Sequence, residues 1–424
     1  MHDARVFRDQ LDLLRDAMRR RRKLDEFAPL IDRGVLLDRD RRTTIQAVEE
    51  RKAARNANSL EVARRRKAGE DAGPLMVFGR ELGEEIQRLE GELAQVESEL
   101  DGILLGVPNL TLPDVPEGGE EANVVMSTWG TPRPADGVRP HWEVAEAAGI
   151  IDLPRGAKIS GSGFIVFRGL GARLTRGMLN YFIDIHVGEH GYEEVWVPVV
   201  VNRASMTGTT QLPKFEDDMY ALKDEDLFLV PTAEVPVTNL YRDEIVDALT
   251  LPRGFVAYTP CFRREAGAAG KDTRGLLRVH EFDKVEMVRY CAPEDGDAEH
   301  ERLTRHAETL LERLGLPYRR VLLAAGDTGF GSARTYDLEA WAPGVGKWLE
   351  VSSCSTFTDF QARRANIRYR PAPGEKPRYL HTLNGSGLAF PRVIACILEH
   401  YQHPDGSVTV PDVLRPYVGT DVLK

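Results

Sequence analysis

The sequence predicts an α+β protein in which an N-terminal antiparallel α-helical coiled-coil hairpin precedes a domain built on an antiparallel β-sheet. Two observations lead to this fold class. Apolar residues follow a heptad spacing within the first 105 residues, and short β-rich runs lie between helical segments from about residue 159 onward. These runs follow one another without a regular βαβ alternation, which indicates an antiparallel sheet.

The hairpin is predicted from an apolar seam that lasts three heptads. A second helical segment precedes it over about residues 40–67, and Gly and Pro in the intervening residues 67–74 break the helix. Because so short a loop forces two helices to run antiparallel, we expect a coiled-coil hairpin over about residues 38–105. The seam alternates spacings of four and three: Leu82, Ile86, Leu89, Leu93, Val96, Leu100 and Ile103.

A domain boundary is predicted near residue 108, where Gly106-Val107-Pro108-Asn109 ends the coiled coil. The helical domain then spans 1–108 and the β-rich domain 109–424, with a linker rich in Pro, Gly and acid at about 109–140. In the second domain, helices are predicted at 172–189, 297–314 and 390–400. Strands are predicted at 163–167, 193–201, 226–230, 255–258, 283–290, 336–342 and 348–353.

Charge is unevenly distributed along the 424 residues. The chain has 56 Lys and Arg against 66 Asp and Glu, and its net charge of −10 does not indicate a nucleic-acid-binding protein. Yet residues 1–67 hold 19 basic and 12 acidic side chains, and the remainder holds 37 and 54. Such an asymmetry marks either a segment that meets a polyanion or a solvated, Arg-rich helix face.

The two predicted hairpin helices also differ in charge. Residues 38–67 contain 10 basic and 5 acidic side chains, whereas residues 75–105 contain 2 and 8. One interpretation is that the basic helix simply pairs with the acidic one. The other is that the basic helix offers its surface to a partner.

The cysteines and the apolar runs bear on the compartment. None of the cysteines lies in a C-x-x-C pair or an obvious metal-binding spacing, which favours free thiols in a reducing compartment. No apolar run approaches the ~18 residues of a transmembrane helix, and no signal-peptide pattern opens the chain. We therefore expect a cytoplasmic protein without a membrane partner. The cysteines are Cys261, Cys291, Cys354 and Cys396.

Several common catalytic motifs are absent, among them the Walker P-loop, the dinucleotide G-x-G-x-x-G and the G-x-S-x-G elbow. Instead, Phe262-Arg263-Arg264-Glu265 follows an apolar strand, and a basic, glycine-rich loop leads to a second strand that carries Phe282 and Glu286. Arg263 suits a phosphate because its planar fork makes bidentate bonds, and Phe282 suits a base. The alternative is a solvent-exposed charged hairpin. The loop contains Gly267, Gly270, Lys271, Asp272, Arg274 and Gly275.

Two further clusters suggest anion and metal binding. Glu350 and Ser353 lie at the end of an apolar strand, and their hard oxygen ligands suit Mg²⁺. Residues 384–387 form a glycine-rich turn before a helix that carries Arg392, and helix N-termini favour anions. The alternative for this second cluster is a helix cap with a surface arginine.

Together these segments resemble the class II aminoacyl-tRNA synthetases. Phe262-Arg263-Arg264-Glu265 is similar to their motif 2, residues 384–387 with Arg392 to motif 3, and residues 191–198 to motif 1. Within the class the chain resembles the seryl-tRNA synthetases over nearly its whole length, including the hairpin. The strings that carry this resemblance are residues 231–236, 262–274, 278–286, 352–355 and 359–364.

The resemblance implies a class II synthetase-like catalytic domain and a hairpin that binds tRNA. It implies activation of L-serine by ATP to seryl-adenylate, then transfer of serine to the 3′ end of tRNA(Ser) for translation. Whether tRNA(Sec) is a second substrate stays open. The family further implies a homodimer and Mg²⁺ bound with the ATP.

The resemblance also assigns roles to residues. Catalysis would involve Arg263, Glu286 and Arg392, and Mg²⁺ would be held by Glu350 and Ser353. The residues implied for L-serine are Thr232, Ala233, Glu234, Arg263, Glu286, Asn384 and Ser386. Those implied for ATP are Arg263, Arg264, Glu265, Val279, Phe282, Glu350, Val351, Ser352, Ser353 and Arg392.

Three residues depart from the usual family strings. Gly163 stands where Arg is common, Thr210 where Gly is usual, and Thr356 where Asn is common. Two other functions are compatible with the sequence. One is a serine-activating paralogue that delivers serine to a carrier protein or a small molecule. The other is a non-enzymatic interaction protein with an inactive catalytic domain.

Overall fold

The computed structural model describes residues 1–266 and 274–424, so Gly267, Gly270, Lys271 and Asp272 of the predicted loop lie outside the described residues. The α-helices are α1 Val6–Asp9, α2 Leu11–Arg20, α3 Leu24–Ala68, α4 Gly73–Gly106, α5 His141–Ala147, α6 Leu153–Ser160, α7 Leu170–Gly188, α8 Arg203–Gly208, α9 Glu234–Thr238, α10 Gly296–Arg313, α11 Phe360–Arg364, α12 Phe390–His400 and α13 Arg415–Val418.

The strands supply one large sheet and several small ones. They are β1 Val124–Trp129, β2 Glu193–Glu194, β3 Val200–Asn202, β4 Leu227–Leu229, β5 Ile245–Asp247, β6 Arg253–Phe262, β7 Glu281–Cys291, β8 Tyr318–Leu322, β9 Arg334–Ala342, β10 Lys347–Thr356, β11 Arg368–Arg370, β12 Arg378–Tyr379, β13 His381–Ala389, β14 Val408–Thr409 and β15 Val422–Leu423.

The chain divides into two compact units, Met1–Pro108 and Asn109–Lys424. In the first unit, α3 and α4 pack as the predicted antiparallel hairpin, although α3 begins at Leu24 rather than near residue 38. It ends at Ala68 because Gly69 adopts a left-handed φ of 74° and closes the helix. The predicted seam is buried at Leu82, Ile86, Leu89, Leu100 and Ile103 and half-buried at Leu93 and Val96.

Ion pairs join the basic helix to the acidic one. They are Arg33–Glu99 at 2.7 Å, Arg41–Glu97 at 2.9 Å, Arg51–Glu85 at 2.8 Å and Lys52–Glu90 at 2.9 Å. The two helices therefore do pair by charge, as one interpretation of the sequence held. Each such exposed pair contributes only about 0.2–1 kcal/mol.

An eight-stranded sheet organises the second unit, in the order β1-β8-β9-β10-β13-β7-β6-β2. Its neighbours are antiparallel except β2 and β6, so the predicted antiparallel α+β class is confirmed. Helices α7, α10 and α12 supply the apolar side chains that pack against the sheet to form the main core. Among the described residues, none of the helices is both long enough and apolar enough to cross a membrane.

Some predicted elements differ from those observed. The linker predicted at 109–140 contains β1, an edge strand whose side chains are all exposed and so give no burial pattern. The strand predicted at 163–167 is a turn, in which Gly163 has a φ of 83° and Phe167 forms a single bridge with Ile151. The strand predicted at 193–201 is divided into β2 and β3.

The glycine-rich segment 384–387 is extended strand within β13 rather than a turn. Its glycines are needed for space. A side-chain carbon at Gly385 would press against Leu303 and Cys354, and one at Gly387 would overlap the ring of His186. Gly385 and Gly387 thus let β13 lie close to α7, α10 and β10.

We predict that Gly387→Ala lowers the free energy of unfolding of the second unit by about 1–3 kcal/mol, because the buried His186 ring has no room to yield. The measurement is denaturant unfolding followed by tryptophan fluorescence. All five tryptophans lie beyond residue 108, so this signal reports on the second unit.

Gly91→Ala is the matched control. None of the described residues has an atom within 4 Å of a Cβ placed at this exposed position of α4, so alanine should stabilise the hairpin by about 0.5–1 kcal/mol through helix propensity. Residues 1–108 contain no tryptophan, so unfolding of the hairpin is followed by far-UV circular dichroism. A gain in stability of the second unit on Gly387→Ala, like the gain expected for the hairpin, would show that backbone propensity, not space, decides the outcome at 387.

Candidate active site

A cavity of about 550 Å³ opens over the middle of the large sheet. Strands β6, β7, β13 and β10 are successive neighbours there, and Glu286 of β7 lies directly opposite Ser386 of β13. Register thus brings together side chains that are 100 residues apart in the chain. Other parts of the wall come from Thr210 and Gln211, the loop before α9, residues 276–279 and residues 329–332.

Most of the predicted site residues line this cavity. They are Thr232, Glu234, Arg263, Glu265, Val279, Phe282, Glu286, Glu350, Val351, Ser353, Asn384, Ser386 and Arg392. Three others have different surroundings. Ala233 is fully buried in the core, the Arg264 guanidinium donates to the Asp217 carbonyl at 3.1 Å, and the Ser352 hydroxyl donates to the Ser386 carbonyl at 2.7 Å.

One end of the cavity is polar and buried. Lys284 Nζ donates to Thr232 Oγ1 at 2.9 Å and lies 2.6 Å from Glu286 Oε2. Glu234 Oε1 accepts a hydrogen bond from Gln361 Nε2 at 2.6 Å, and Thr382 in turn fixes the Gln361 amide at 2.7 Å. This end offers hydroxyl, amide and carboxyl groups to a small polar molecule.

Burial raises the pKa of Glu234 to about 7, and the nearby Glu286 carboxylate adds to the effect. Hydrogen bonding from Gln361 and the charge of Lys284 oppose this rise. Glu234 therefore titrates near neutral pH, beside a second carboxyl group in the same buried space.

The other end of the cavity is cationic and more open. The Arg263 guanidinium lies 5.2 Å from the centre of the Phe282 ring and donates to the Pro231 carbonyl at 3.3 Å. Arg392 donates to the Glu350 carbonyl at 2.8 Å and forms an ion pair with its carboxylate at 3.3 Å. Two arginines with spare donors suit the oxygens of a polyphosphate.

Glu265 and Arg278, which both line the cavity, form an ion pair with each other. Glu265 has a φ of 52°, an uncommon value for a residue with a side chain. The constrained backbone and the ion pair together fix where both side chains meet the cavity.

The residues predicted for Mg²⁺ have donors of the right kind. Glu350 and Ser353 both reach the cavity, and Asp337 lies across the strand pair from Ser353. Burial and the Glu350 carboxylate raise the pKa of Asp337 well above its usual range, and its buried Oδ1 has no hydrogen-bond partner among the described residues. Hard oxygen donors and a poorly compensated acid fit a divalent cation.

The three departures from the family strings have different surroundings. Thr210 lines the cavity with a φ of 72°, a conformation that suits the usual glycine and strains a β-branched residue. Gly163 accepts a hydrogen bond from the His280 amide at 2.9 Å. Thr356 is buried within β10 and is not among the residues that line the cavity.

Sequence reasoning missed Lys284, which lines the cavity, and two residues next to lining residues, Gln361 beside Glu234 and Asp337 opposite Ser353. For Lys284 a signal was present, because Phe282, Lys284 and Glu286 alternate along β7 and must share one face. Gln361 and Asp337 carry no such signal, since their partners come from other elements.

We predict that Glu234→Gln makes stability less dependent on pH. The raised pKa means that folding favours the protonated acid, so wild-type stability falls as pH rises from 4.5 to about 7. The Gln variant lacks this pH-dependent loss of stability. Its free energy of unfolding relative to wild type should therefore increase by roughly 2–3 kcal/mol across that pH range. Denaturant unfolding at several pH values measures it, and parallel stability curves would contradict the raised pKa.

Comparison with known proteins identifies the family. Residues 1–111 match the model of the seryl-tRNA synthetase N-terminal domain, and residues 214–401 match the class II tRNA synthetase core domain (G, H, P, S and T). A serine–tRNA ligase from Gemmatimonas aurantiaca is 64% identical over 100% of both chains.

Solved structures agree with this similarity. A seryl-tRNA synthetase from Pyrococcus horikoshii complexed with ATP has a TM-score of 0.95 at 38% identity, covering 100% of this chain and 99% of that one. A cytoplasmic serine–tRNA ligase from Naegleria fowleri in complex with AMP has a TM-score of 0.89 at 29% identity, with 100% and 99% coverage. The chain belongs to the seryl-tRNA synthetase family of class II aminoacyl-tRNA synthetases.

Proposed function

We propose that this serine–tRNA ligase binds L-serine at the polar end of the cavity and ATP at the cationic end, and makes seryl-adenylate between them. The observation that carries this assignment is the position of Arg263. It lines the same cavity as Thr232 and Glu286 on one side and Phe282 on the other. One guanidinium can therefore contact the serine carboxylate and the α-phosphate together.

The serine pocket comprises Thr232, Glu234, Glu286, Asn384 and Ser386, with Ala233 as its packed support. A pocket built to bond a hydroxyl leaves buried polar groups unpaired when alanine or glycine enters, so it discriminates by up to about 10⁴–10⁵ without editing. Glu286, which is 2% exposed, is the carboxylate that accepts the substrate hydroxyl's hydrogen bond.

The ATP pocket comprises Arg263, Glu265, Val279, Phe282, Val351 and Arg392. The adenine base stacks on Phe282, and Arg392 serves the phosphates from the opposite side. Arg264 and Ser352 support this pocket from outside its wall, through their bonds to Asp217 and Ser386. The P. horikoshii relative, solved with ATP, has nearly the same fold.

The reaction proceeds in two displacements. A serine carboxylate oxygen attacks the α-phosphorus, and the bond to pyrophosphate breaks. A terminal ribose hydroxyl of tRNA then attacks the serine carbonyl carbon, and AMP leaves. Arg263 and Arg392 orient the reacting groups and stabilise the charge that shifts onto the phosphate oxygens, so no side-chain nucleophile is required.

Glu350 and Ser353 would hold Mg²⁺, with Asp337 behind them. When bound, the ion neutralises phosphate charge during the displacement. The ion pair between Arg392 and Glu350 directs that carboxylate along the phosphate end of the cavity.

We assign residues 1–108 as the tRNA-binding arm and residues 109–424 as the catalytic domain. The arm offers Arg55 and Lys67, which form no ion pair with α4 within the described residues, and an arginine run at residues 64–66. Such side chains bind the backbone and shape of double-helical RNA. The partner is tRNA(Ser), and tRNA(Sec) is a second candidate that charging assays decide.

A homodimer and a cytoplasmic location complete the proposal. Trp196, in the segment similar to motif 1, is 77% exposed and suits a subunit interface. The four cysteines are buried free thiols, as expected in a reducing compartment.

Two alternative functions are distinguished by the same assays. A paralogue that delivers serine to a carrier protein would form the adenylate but charge no tRNA, and a non-enzymatic protein would do neither.

We predict that Glu286→Ala lowers serine-dependent ATP–pyrophosphate exchange by about 100-fold or more, because a buried charged hydrogen bond to serine is lost. Equilibrium binding of ATP should change little. The comparison variant Arg392→Ala should instead weaken ATP use and raise the KM for ATP. Normal exchange in Glu286→Ala, or normal ATP kinetics in Arg392→Ala, would contradict the respective role.

We predict that replacing residues 35–102 with a short Gly-Ser linker spares pyrophosphate exchange and abolishes charging of tRNA(Ser). The arm supplies RNA contacts, whereas the cavity belongs to residues 109–424. The intact enzyme should also lose tRNA affinity steeply as salt rises. A truncated enzyme that charges tRNA normally would show that the arm does not bind the tRNA.

A further inference from the structure

Lys284 is buried at the polar end of the cavity, in the middle of the sheet. It lies on β7 between Thr259 of β6 and Ala389 of β13, and its side chain is 7% exposed. Placing an ammonium group there is costly unless charge and hydrogen bonds compensate it. Within the described residues, its hydrogen bond to Thr232 and its ion pair with Glu286 both reach residues of the proposed serine pocket.

The Lys284 contact sets the direction of the Thr232 hydroxyl. Thr232 Oγ1 accepts a hydrogen bond from Lys284 Nζ at 2.9 Å and another from the Glu234 backbone N–H at 3.3 Å. These two donors occupy the acceptor capacity of a hydroxyl oxygen. The remaining Thr232 O–H must therefore donate, and the cavity is where it finds an acceptor.

The same lysine acts on Glu286 through its charge. Glu286 Oε2 is buried, and within the part of the chain that the structure describes it accepts no hydrogen bond of good geometry, although Lys284 Nζ is 2.6 Å away. The ammonium group thus compensates the carboxylate while leaving an acceptor site on it. The other titratable groups around the lysine are Glu234 of α9, Cys261 of β6 and Arg263 just after β6.

We propose that Lys284 is a positioning residue that makes the pocket specific for a hydroxyl-bearing amino acid. It holds the Thr232 hydroxyl as a hydrogen-bond donor and the Glu286 carboxyl group as an acceptor, side by side. A substrate hydroxyl accepts from the first and donates to the second, whereas a methyl group leaves both unpaired. This inference rests on the proposed function of the serine pocket.

The test is steady-state ATP–pyrophosphate exchange with the full-length enzyme and the variants Lys284→Met and Lys284→Arg. Lys284→Met should raise the KM for serine about 10- to 100-fold, the loss of one charged hydrogen bond, with the KM for ATP changed less than about threefold. Lys284→Arg retains the charge and should recover part of the loss.

Two readouts separate positioning from a merely structural role. The ratio of kcat/KM for serine over alanine should fall at least about tenfold in Lys284→Met, since the paired donor and acceptor no longer select the hydroxyl. The acid limb of kcat/KM for serine should move to higher pH, because the Lys284 charge lowers the pKa of Glu234 and its loss favours protonation of that carboxyl group. An unchanged ratio and an unchanged acid limb would overturn the proposal.

Glu286→Gln, assayed in parallel, distinguishes the two levels of inference. If Glu286→Gln leaves the KM for serine unchanged, the serine pocket itself is wrongly assigned. If Glu286→Gln raises it and Lys284→Met does not, the pocket stands and the role of Lys284 is wrong. Should Lys284→Met fail to fold, as judged by tryptophan fluorescence, the uncharged variant Lys284→Gln takes its place, with the same expected fall in selectivity and the same overturning result.

Discussion

The pairing of β13 with β7 is the constraint on which the rest of the site depends. Only in this register does Ser386 lie opposite Glu286, and only a strand with glycines at 385 and 387 lies close enough to α7, α10 and β10 to hold it. A one-residue slip would turn these side chains to the other face of the sheet. The polar end of the cavity is therefore a product of backbone packing as much as of side-chain chemistry.

The spacing of apolar residues predicted those elements of the fold that are determined by nearby residues in the sequence. The coiled-coil seam gave the hairpin, and α12 has the predicted bounds of 390 and 400 because its apolar face is continuous. Strand β1 was not predicted because an exposed edge strand shows no alternation of buried and exposed side chains. Strand β13 was not predicted because glycine usually indicates a turn. Here the glycines are required by close contacts with residues that are distant in the sequence.

Most of the candidate site residues, but not all, could be predicted from the sequence. Its arginines and acids lie in strings similar to those of known synthetases, and most of them line one cavity. The positions of Lys284, Gln361 and Asp337 near the cavity depend on which strands and helices lie next to one another. The same holds for the departure at Thr210, where a left-handed backbone conformation explains why glycine is usual. Pairing between distant elements is the information that a single sequence does not display.

The acidic helix α4 has a consequence for how the arm treats nucleic acids. Its carboxylates at 85, 90, 97 and 99 already occupy basic side chains of α3. Any RNA phosphate that binds these basic side chains must displace a carboxylate already paired with them. A single phosphate therefore gains little binding free energy. A folded tRNA offers many phosphates in fixed array and overcomes this competition. In the proposed role, α4 acts as a built-in competitor that sets a threshold against indiscriminate polyanion binding.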